Sequence, residues 1–384
     1  MRIPRWTAVC LALVAVGALV VVTGMAFSPA GSAPAQSRPI AIAQEITPAP
    51  ASDPTPTSPA GEATAPVLPT ITVAAVGDIM FDSAPKRLIK AKGGNAPFSA
   101  LVSQLRGADV TLGNLECPLS VRGHAVAGKT FTFQGDPRGA KGLQWAGFDL
   151  VSLANNHARD YGVSALRDTF QILGRAGLAW AGAGVNRAAA WKPAIIERGG
   201  ARIAFLAFSE IGPGNFVATG SKPGTAFTSN ISAVTKAIKA AHAKADYVIV
   251  SFHWGVERSY SPTARQVSHG RAAIRAGADM VLSHHPHVLQ GVEFYRRGII
   301  AYSLGNFVFS PGTNAGRDSM ILHASLTPAG VTSVSAEPVY IGSNGRPTPQ
   351  KGASARRILA IVSRTSRSRG THVSISGTFA RLTP

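Results

Sequence analysis

The sequence predicts an α/β body with a mixed sheet or two stacked sheets, on three observations. From Thr70 onward, short apolar strands alternate with helix-patterned segments, the C-terminal half turns to hairpins, and no linker-like break interrupts the run. One domain over residues 70–384 is therefore expected rather than two.

Ile71–Val76 is an apolar strand that ends in Gly77-Asp78-Ile79-Met80. Ala84–Lys92 and Pro97–Arg106 then place apolar residues at helical spacing. Asp109–Leu112 is a second strand, closed by Gly113-Asn114-Leu115-Glu116. Thr130–Phe133 alternates as a short strand, and Pro137–Trp145 reads as a helix. Phe148–Leu153 is a third core strand, ending in Ala154-Asn155-Asn156-His157 with Asp160 just beyond. Val163–Arg175 is a helix with Gly177 past its end. Ala194–Glu197 and Arg202–Phe208 flank Arg198-Gly199-Gly200, a hairpin signal. Ile231–Ala243 is an Ala/Lys helix, and Tyr247–Ser251 a buried strand leading to Phe252-His253-Trp254-Gly255. The helix Thr263–Ala276 precedes a strand at Met280–Leu282, which ends in Ser283-His284-His285-Pro286-His287. Gly291–Arg296, Ile299–Tyr302, Ser319–Leu326 and Val331–Tyr340 read as further strands. Ala353–Thr365 is a basic amphipathic helix, and His372–Phe379 a last alternating strand.

Five of these strands end in polar clusters: Asp78, Asn114 with Glu116, Asn156-His157, His253, and His284 to His287. Ligands of open α/β sheets bind beyond the carboxyl ends of the strands, so the clusters are predicted to converge. Singly, each has a plain structural reading. Asp78 could cap a helix, Asn155 and Asn156 could make a turn, and His253 could be a core histidine bonded to a carbonyl. Together, carboxylates, amides and imidazoles form a ligand set suited to zinc, manganese or iron rather than calcium, with enough members for two cations. Pro286 stiffens the His285–His287 turn, and an extended backbone there would put both imidazoles on one side.

The ends and the charge set the surroundings. Arg2 and Arg5 precede Trp6–Phe27, an uncharged apolar run long enough to span a bilayer and oriented to send the remainder outward. Ala33-Pro34-Ala35 matches a signal-peptidase site, which would release the body after Ala35; the length of the apolar run favours a retained single-pass anchor. Residues 28–69 are rich in Pro, Ala, Ser and Thr and are expected to be a disordered tether. Cys10 lies in the apolar run and Cys117 is alone in the body, so no disulfide within the domain is expected. With 38 Lys+Arg against 19 Asp+Glu, the formal net charge is +19, which favours an anionic partner. Basic residues are scattered, without aromatic interleaving, so nucleic acid is the least supported partner.

Val76-Gly-Asp-Ile-Met80, Gly113-Asn-Leu-Glu116, Ala154-Asn-Asn-His157 with Asp160, His253-Trp-Gly-Val-Glu257, His285-Pro-His-Val-Leu-Gln290 and Tyr302-Ser-Leu-Gly-Asn-Phe307 resemble the CapA family of poly-γ-glutamate capsule biosynthesis proteins. The resemblance covers roughly residues 71–343. It implies a four-layer α/β/β/α sandwich of the metallophosphoesterase type, with two divalent cations. Carried over by motif, Asp78, Glu116, Asn156, His253, His285 and His287 would be metal ligands, with Glu116 bridging. His157 would be the general acid and Asp160 its orienting partner. Asn114, Glu257 and Asn306 would contact substrate. Met80 stands where that fold type has a histidine ligand, and a thioether is a poor partner for a hydrolytic metal. The implied partners are an anionic polymer such as poly-γ-glutamate and other capsule-synthesis membrane proteins. The implied role is polymer synthesis or export with a metal-dependent hydrolase site. The rival readings are a non-catalytic polymer-binding scaffold and a general secreted phosphoesterase.

Overall fold

Ile71–Ile79 lies at the centre of a ten-stranded sheet, running parallel to Val110–Leu115 on one side and antiparallel to Asp318–Thr327 on the other. The computed structural model describes residues 68–384; the apolar segment, the signal-peptidase motif and all but the end of the expected tether lie outside them. Beyond Val110–Leu115 the sheet continues in parallel through Leu150–Ser152 and Ala179–Ala181. On its other flank, Asp318–Thr327 and Gly330–Ile341 form a long hairpin, followed by Phe379–Thr383 and His372–Ser376.

The second sheet has six strands. Gly298–Ala301, Met280–His284, Tyr247–His253 and Ala201–Ser209 run parallel, and each edge is closed by an antiparallel hairpin partner, Val292–Tyr295 or Ala194–Arg198.

The period of two along each strand sorts side chains into layers. Ile71, Val73 and Ala75 face Ile203, Phe205, Ile249, Met280 and Leu282 of the other sheet, making the inner core. Ala74 and Val76 point the opposite way, against Ile89, Phe98, Leu105, Leu143 and Leu166 on the helices of that face. Leu206, Val248 and Val250 meet Val234, Ile238, Ala273 and Ile274 on the helices Ile231–His242 and Ala264–Arg275. The result is the four-layer α/β/β/α sandwich, formed by residues 68–384 as a single unit. The helix Gly352–Arg367 adds Ile358, Leu359 and Val362 to the inner core. Local signals agree with these elements. Thr263 and Gln266 form a reciprocal capping box ahead of Ala264–Arg275, and the Asn230 side chain caps Ile231–His242.

Three expectations need correction. Thr130–Phe133 is not a strand, because its neighbourhood bonds to carboxylates instead of a ladder. Phe133 N–H donates to Asp160 Oδ2 at 2.8 Å and Gln134 N–H to Asp82 Oδ2 at 2.7 Å. Pro97–Arg106 is broken into a 3₁₀ turn at Ala96–Phe98 and a helix at Val102–Arg106. Leu101 N–H closes onto Phe98 C=O at 2.9 Å so that both side chains reach the core. His372–Phe379 is the first arm of a hairpin that turns at Gly377, φ +59°, and returns through Phe379–Thr383.

Candidate metal centre

Because the strands Ile71–Ile79 and Val110–Leu115 run parallel, as do Tyr247–His253 and Met280–His284, each pair delivers its polar residues at the same end of its sheet. Asp78, Asn114, Glu116, Asn155, His253 and His284 are all buried there. Gly77 permits the closest approach. Asp78 N–H bonds Gly305 C=O at 2.9 Å, and a Cβ on Gly77 would sit 2.1 Å from that oxygen. This contact registers Asp78 against the turn that carries Asn306.

Asp78 is held on both oxygens. Asn114 Nδ2 donates to Oδ1 at 2.9 Å, the backbone N–H of His285 reaches Oδ2 at 3.4 Å, and His284 and His287 Nδ1 stand 3.2 and 3.3 Å away. Burial pushes this carboxyl up, but the contacts from His284 and His287 outweigh it and hold it well below the usual carboxylate range. Glu116 is the opposite case. Neither of its oxygens has a hydrogen-bond partner, and Oε1 lies 3.5 Å from His253 Nε2 and 3.9 Å from His287 Nε2. Burial and the charge of Asp78 push its carboxyl well above the usual range. A buried carboxylate with both oxygens unbonded is costly unless a cation takes them, so this residue set fits a bound metal.

Two ligand groups share Glu116. Glu116, His253 and His285 form one, and Asp78, Glu116 and His287 the other; within each, one donor atom per residue lies within 4.8 Å of the others. Asn156 Oδ1, 2.8 Å from His253 Nε2, adjoins the first group. Glu257 joins His285 and His287 in a third combination at the exposed rim. Burial, reinforced by His287, lowers His285 to about 3, and burial holds His253 well below its ordinary value, so both are neutral imidazoles, the form that ligates a cation. Burial also works against charge on His287, yet Glu116 and Asp78 prevail and raise it to about 10. His287 thus holds its proton against Asp78 and Glu116, and a cation arriving there would displace it.

His285 and His287 do not meet by strand alternation. The strand ends at His284, and the two residues take φ of +96° and +56°, left-handed values that turn the rings toward separate groups. Met80 offers no imidazole, and its sulfur accepts the Asp82 N–H at 3.0 Å. Beside Asp78 stand the expected Glu116 and His287, with no further imidazole in that group. Asn114 and Asn306, the expected substrate contacts, are both buried with their amides engaged, and Asn306 lines the cleft cavity beside His287. Asn114 links Asp78 to Asn155, whose Nδ2 donates to it at 3.0 Å. Asn306 Oδ1 meets His287 Nδ1 at 2.9 Å while its Nδ2 donates to Gly316 C=O at 2.9 Å. Both thus contact candidate ligand side chains, Asp78 and His287.

Beside the two groups, His157 Nδ1 lies 2.6 Å from Asp160 Oδ2, and its ring stacks on Phe133 at 4.3 Å between centroids. Burial lowers His157 and the Asp160 hydrogen bond opposes that shift. Lys129, unanticipated in the sequence, pairs with Asp160 Oδ1, donates to Asn156 C=O at 2.5 Å, and sits 3.0 Å from His157 Nδ1. His157, His287, Glu257, Arg258, Phe133 and Met80 line a common cavity of about 310 Å³.

The profile of the family described as "Bacterial capsule synthesis protein PGA_cap" matches residues 72–311, which includes every residue of the two ligand groups. The chain belongs to this family. Relatives within the capsule synthesis proteins are similar over most of its length. The "Capsule biosynthesis protein CapA" of Bacillus anthracis is 33% identical over 289 residues, covering 74% of this chain and 70% of the relative. The "PGA biosynthesis protein CapA" of Bacillus subtilis is 33% identical over 288 residues, covering 74% and 75%. A "probable polyglutamine synthesis accessory protein" of Mycobacterium tuberculosis is 30% identical over 210 residues, covering 52% and 55%. Among solved structures, the NAD nucleotidase of Haemophilus influenzae aligns with a TM-score of 0.42 at 14% identity, over 76% of this chain and 62% of that one.

Proposed function

We infer that this capsule synthesis protein is a metal-dependent hydrolase of polymer assembly, working on a phosphoester or on an amide-linked anionic chain. The observation that carries this reading is Glu116, a buried carboxylate with both oxygens unbonded, shared between two ligand groups. Asp78, His287 and Glu116 would hold one divalent cation, and His253, His285, Asn156 and Glu116 the other. Such a pair supplies Lewis acidity, polarising the scissile bond and lowering the pKa of water toward neutrality.

The remaining work falls to side chains of this protein. Asp160 orients His157 through Nδ1, which leaves Nε2 free to exchange a proton with the leaving group. Lys129 neutralises Asp160 and ties it to the backbone of Asn156, so the proton donor and one ligand move together. Phe133 covers one face of the imidazole and keeps water from it. Asn114 and Asn306 hold Asp78 and His287 in place. We further assign the protein to the outer face of the cell membrane, on the charge and apolar length of its N-terminal sequence, where an anionic polymer and other capsule-synthesis proteins would be its neighbours.

Purified full-length protein tests the reading by metal analysis paired with turnover of a phosphodiester and of poly-γ-glutamate. Close to two equivalents of metal, and turnover that His285→Ala abolishes, are expected. A metal-free protein without turnover that still binds poly-γ-glutamate would make it a scaffold and overturn the hydrolase assignment.

A further inference from the structure

Along the helix Ala264–Arg275, apart from the ligand groups, Arg271, Arg275 and Arg369 line a groove of about 580 Å³ together with Pro262, Val267 and Ser268. Among the described residues no acidic side chain lines it. Arg271 is partly neutralised by the buried Glu293, with Nε to Oε1 at 2.8 Å. Arg275 reaches only a phenol, the Tyr295 hydroxyl at 3.0 Å, and among the described residues neither it nor Arg369 pairs with a carboxylate. Arg369 Nε is buried without a hydrogen-bond partner. Arg271, Arg275 and Arg296 also crowd one ring, at 5.1, 5.9 and 6.0 Å from the Tyr295 centroid. An anion in the groove would supply the acceptor that Arg369 Nε lacks and a counter-charge for Arg275.

Guanidinium forks match carboxylate and phosphate oxygens two at a time. A membrane surface is the weaker match, because none of the large exposed apolar side chains, such as Val121, Phe131 and Phe379, lines the groove. Single-stranded nucleic acid is weaker too, since it needs open aromatic faces and Tyr295 is already flanked by cations. Pro262 follows four residues after Arg258, which lines the cleft cavity, and the connecting segment is pinned to the helix. Gln290 Nε2 donates to Ser259 C=O at 2.8 Å, and Gln266 Nε2 to Gln290 Oε1 at 3.0 Å.

We propose that this arginine groove holds an extended polycarboxylate chain, with Arg275 and Arg369 as its principal contacts, and leads the chain toward the metal cleft. The proposal rests on the hydrolase reading only for what happens at the chain's end; binding in the groove stands or falls separately.

The test is binding of fluorescently labelled poly-γ-glutamate to full-length protein, measured by anisotropy across a salt series. Arg275→Glu with Arg369→Glu should weaken binding by about tenfold or more and flatten its salt dependence. Metal content and phosphodiester turnover should stay at the unmodified level, which separates failure of the groove from failure of the cleft. Lys239→Glu with Lys244→Glu, on exposed positions outside the groove, removes the same net charge and should leave binding within about twofold. Arg275→Gln with Arg369→Gln guards against misfolding, and should weaken binding in a protein with an unchanged melting curve. Equal losses in the two charge-reversal pairs would overturn the proposal. So would unmodified binding in the Arg275/Arg369 variants, or tighter binding to phosphatidylserine vesicles or single-stranded DNA than to poly-γ-glutamate.

Discussion

Replacing Glu116 by Gln should stabilise the metal-free protein and at the same time abolish its stabilisation by metal. In the absence of a cation the Glu116 oxygens are buried, unbonded and beside the ionised Asp78. An unsatisfied buried polar group costs about 1–3 kcal/mol, and more when charged. The amide keeps the shape and loses the charge, so a net gain of about 1–2 kcal/mol is expected. For a body spanning residues 68–384, 1 kcal/mol moves the Tm by roughly 1.5 °C, so the variant should melt about 2–3 °C higher in chelator. Metal at a hundredfold its Kd adds about 2.7 kcal/mol to the unmodified protein, roughly 4 °C, whereas an amide cannot bridge two cations and should gain under about 1 °C. The order of the two melting temperatures therefore reverses on adding metal. The sign with pH follows from the raised folded-state value. The destabilisation is absent in acid below the ordinary value of 4.5 and grows as pH climbs from there through the raised folded value. The two metal-free proteins should thus coincide in acid and separate toward neutrality. Thermal scans with chelator, and with manganese or zinc, across pH measure all three effects. A Glu116→Gln protein that melts lower than the original in chelator at neutral pH, or that keeps the full metal increment, would refute the reasoning.

Two further substitutions probe what supports the centre. Gly77→Ala drives a Cβ to 2.1 Å from the Gly305 carbonyl, backbone against backbone, so the two strand ends must separate; a loss of more than about 2 kcal/mol, with a fall in bound metal, is expected from melting curves and metal analysis, and an unchanged melt would count against it. Lys129→Met removes the cation on Asp160 while leaving both ligand groups intact. Turnover should fall about 10–100-fold at constant metal content, and a variant that loses metal but keeps its per-metal rate would show the lysine to be purely structural.

What the sequence shows of this protein follows from how locally each feature is encoded. Strand ends were readable because an apolar run that stops at Asp78, Glu116, His253 or His284 changes character within one or two residues. The preference for Glu116 over Asn114 rests on the resemblance and on chemistry, since an amide bridges two cations poorly; in the fold Glu116 falls in both candidate donor groups and Asn114 spends its amide on Asp78. Lys129 was not readable. It acts across 31 positions on Asp160 from a stretch whose backbone bonds to carboxylates, and nothing at that distance is periodic. Nor was it readable which of His285 and His287 serves which group, since that depends on two left-handed residues that an alternating pattern cannot express.

Met80 shows why that division matters. Read along the chain, it leaves the Asp78 side short of an imidazole. The left-handed turn after His284 brings His287 Nδ1 to 3.3 Å from Asp78 and its Nε2 to 3.9 Å from Glu116, while Asn306 fixes the ring. His287 and Glu116 already belong to the expected ligand set, so neither stands in for the imidazole absent at residue 80, where the methionine sulfur accepts the Asp82 N–H. An added imidazole in Met80→His should therefore tighten metal binding at the Asp78 side, and altering Asn306, which fixes the His287 ring, should weaken it; metal titration that finds neither change would count against this reading.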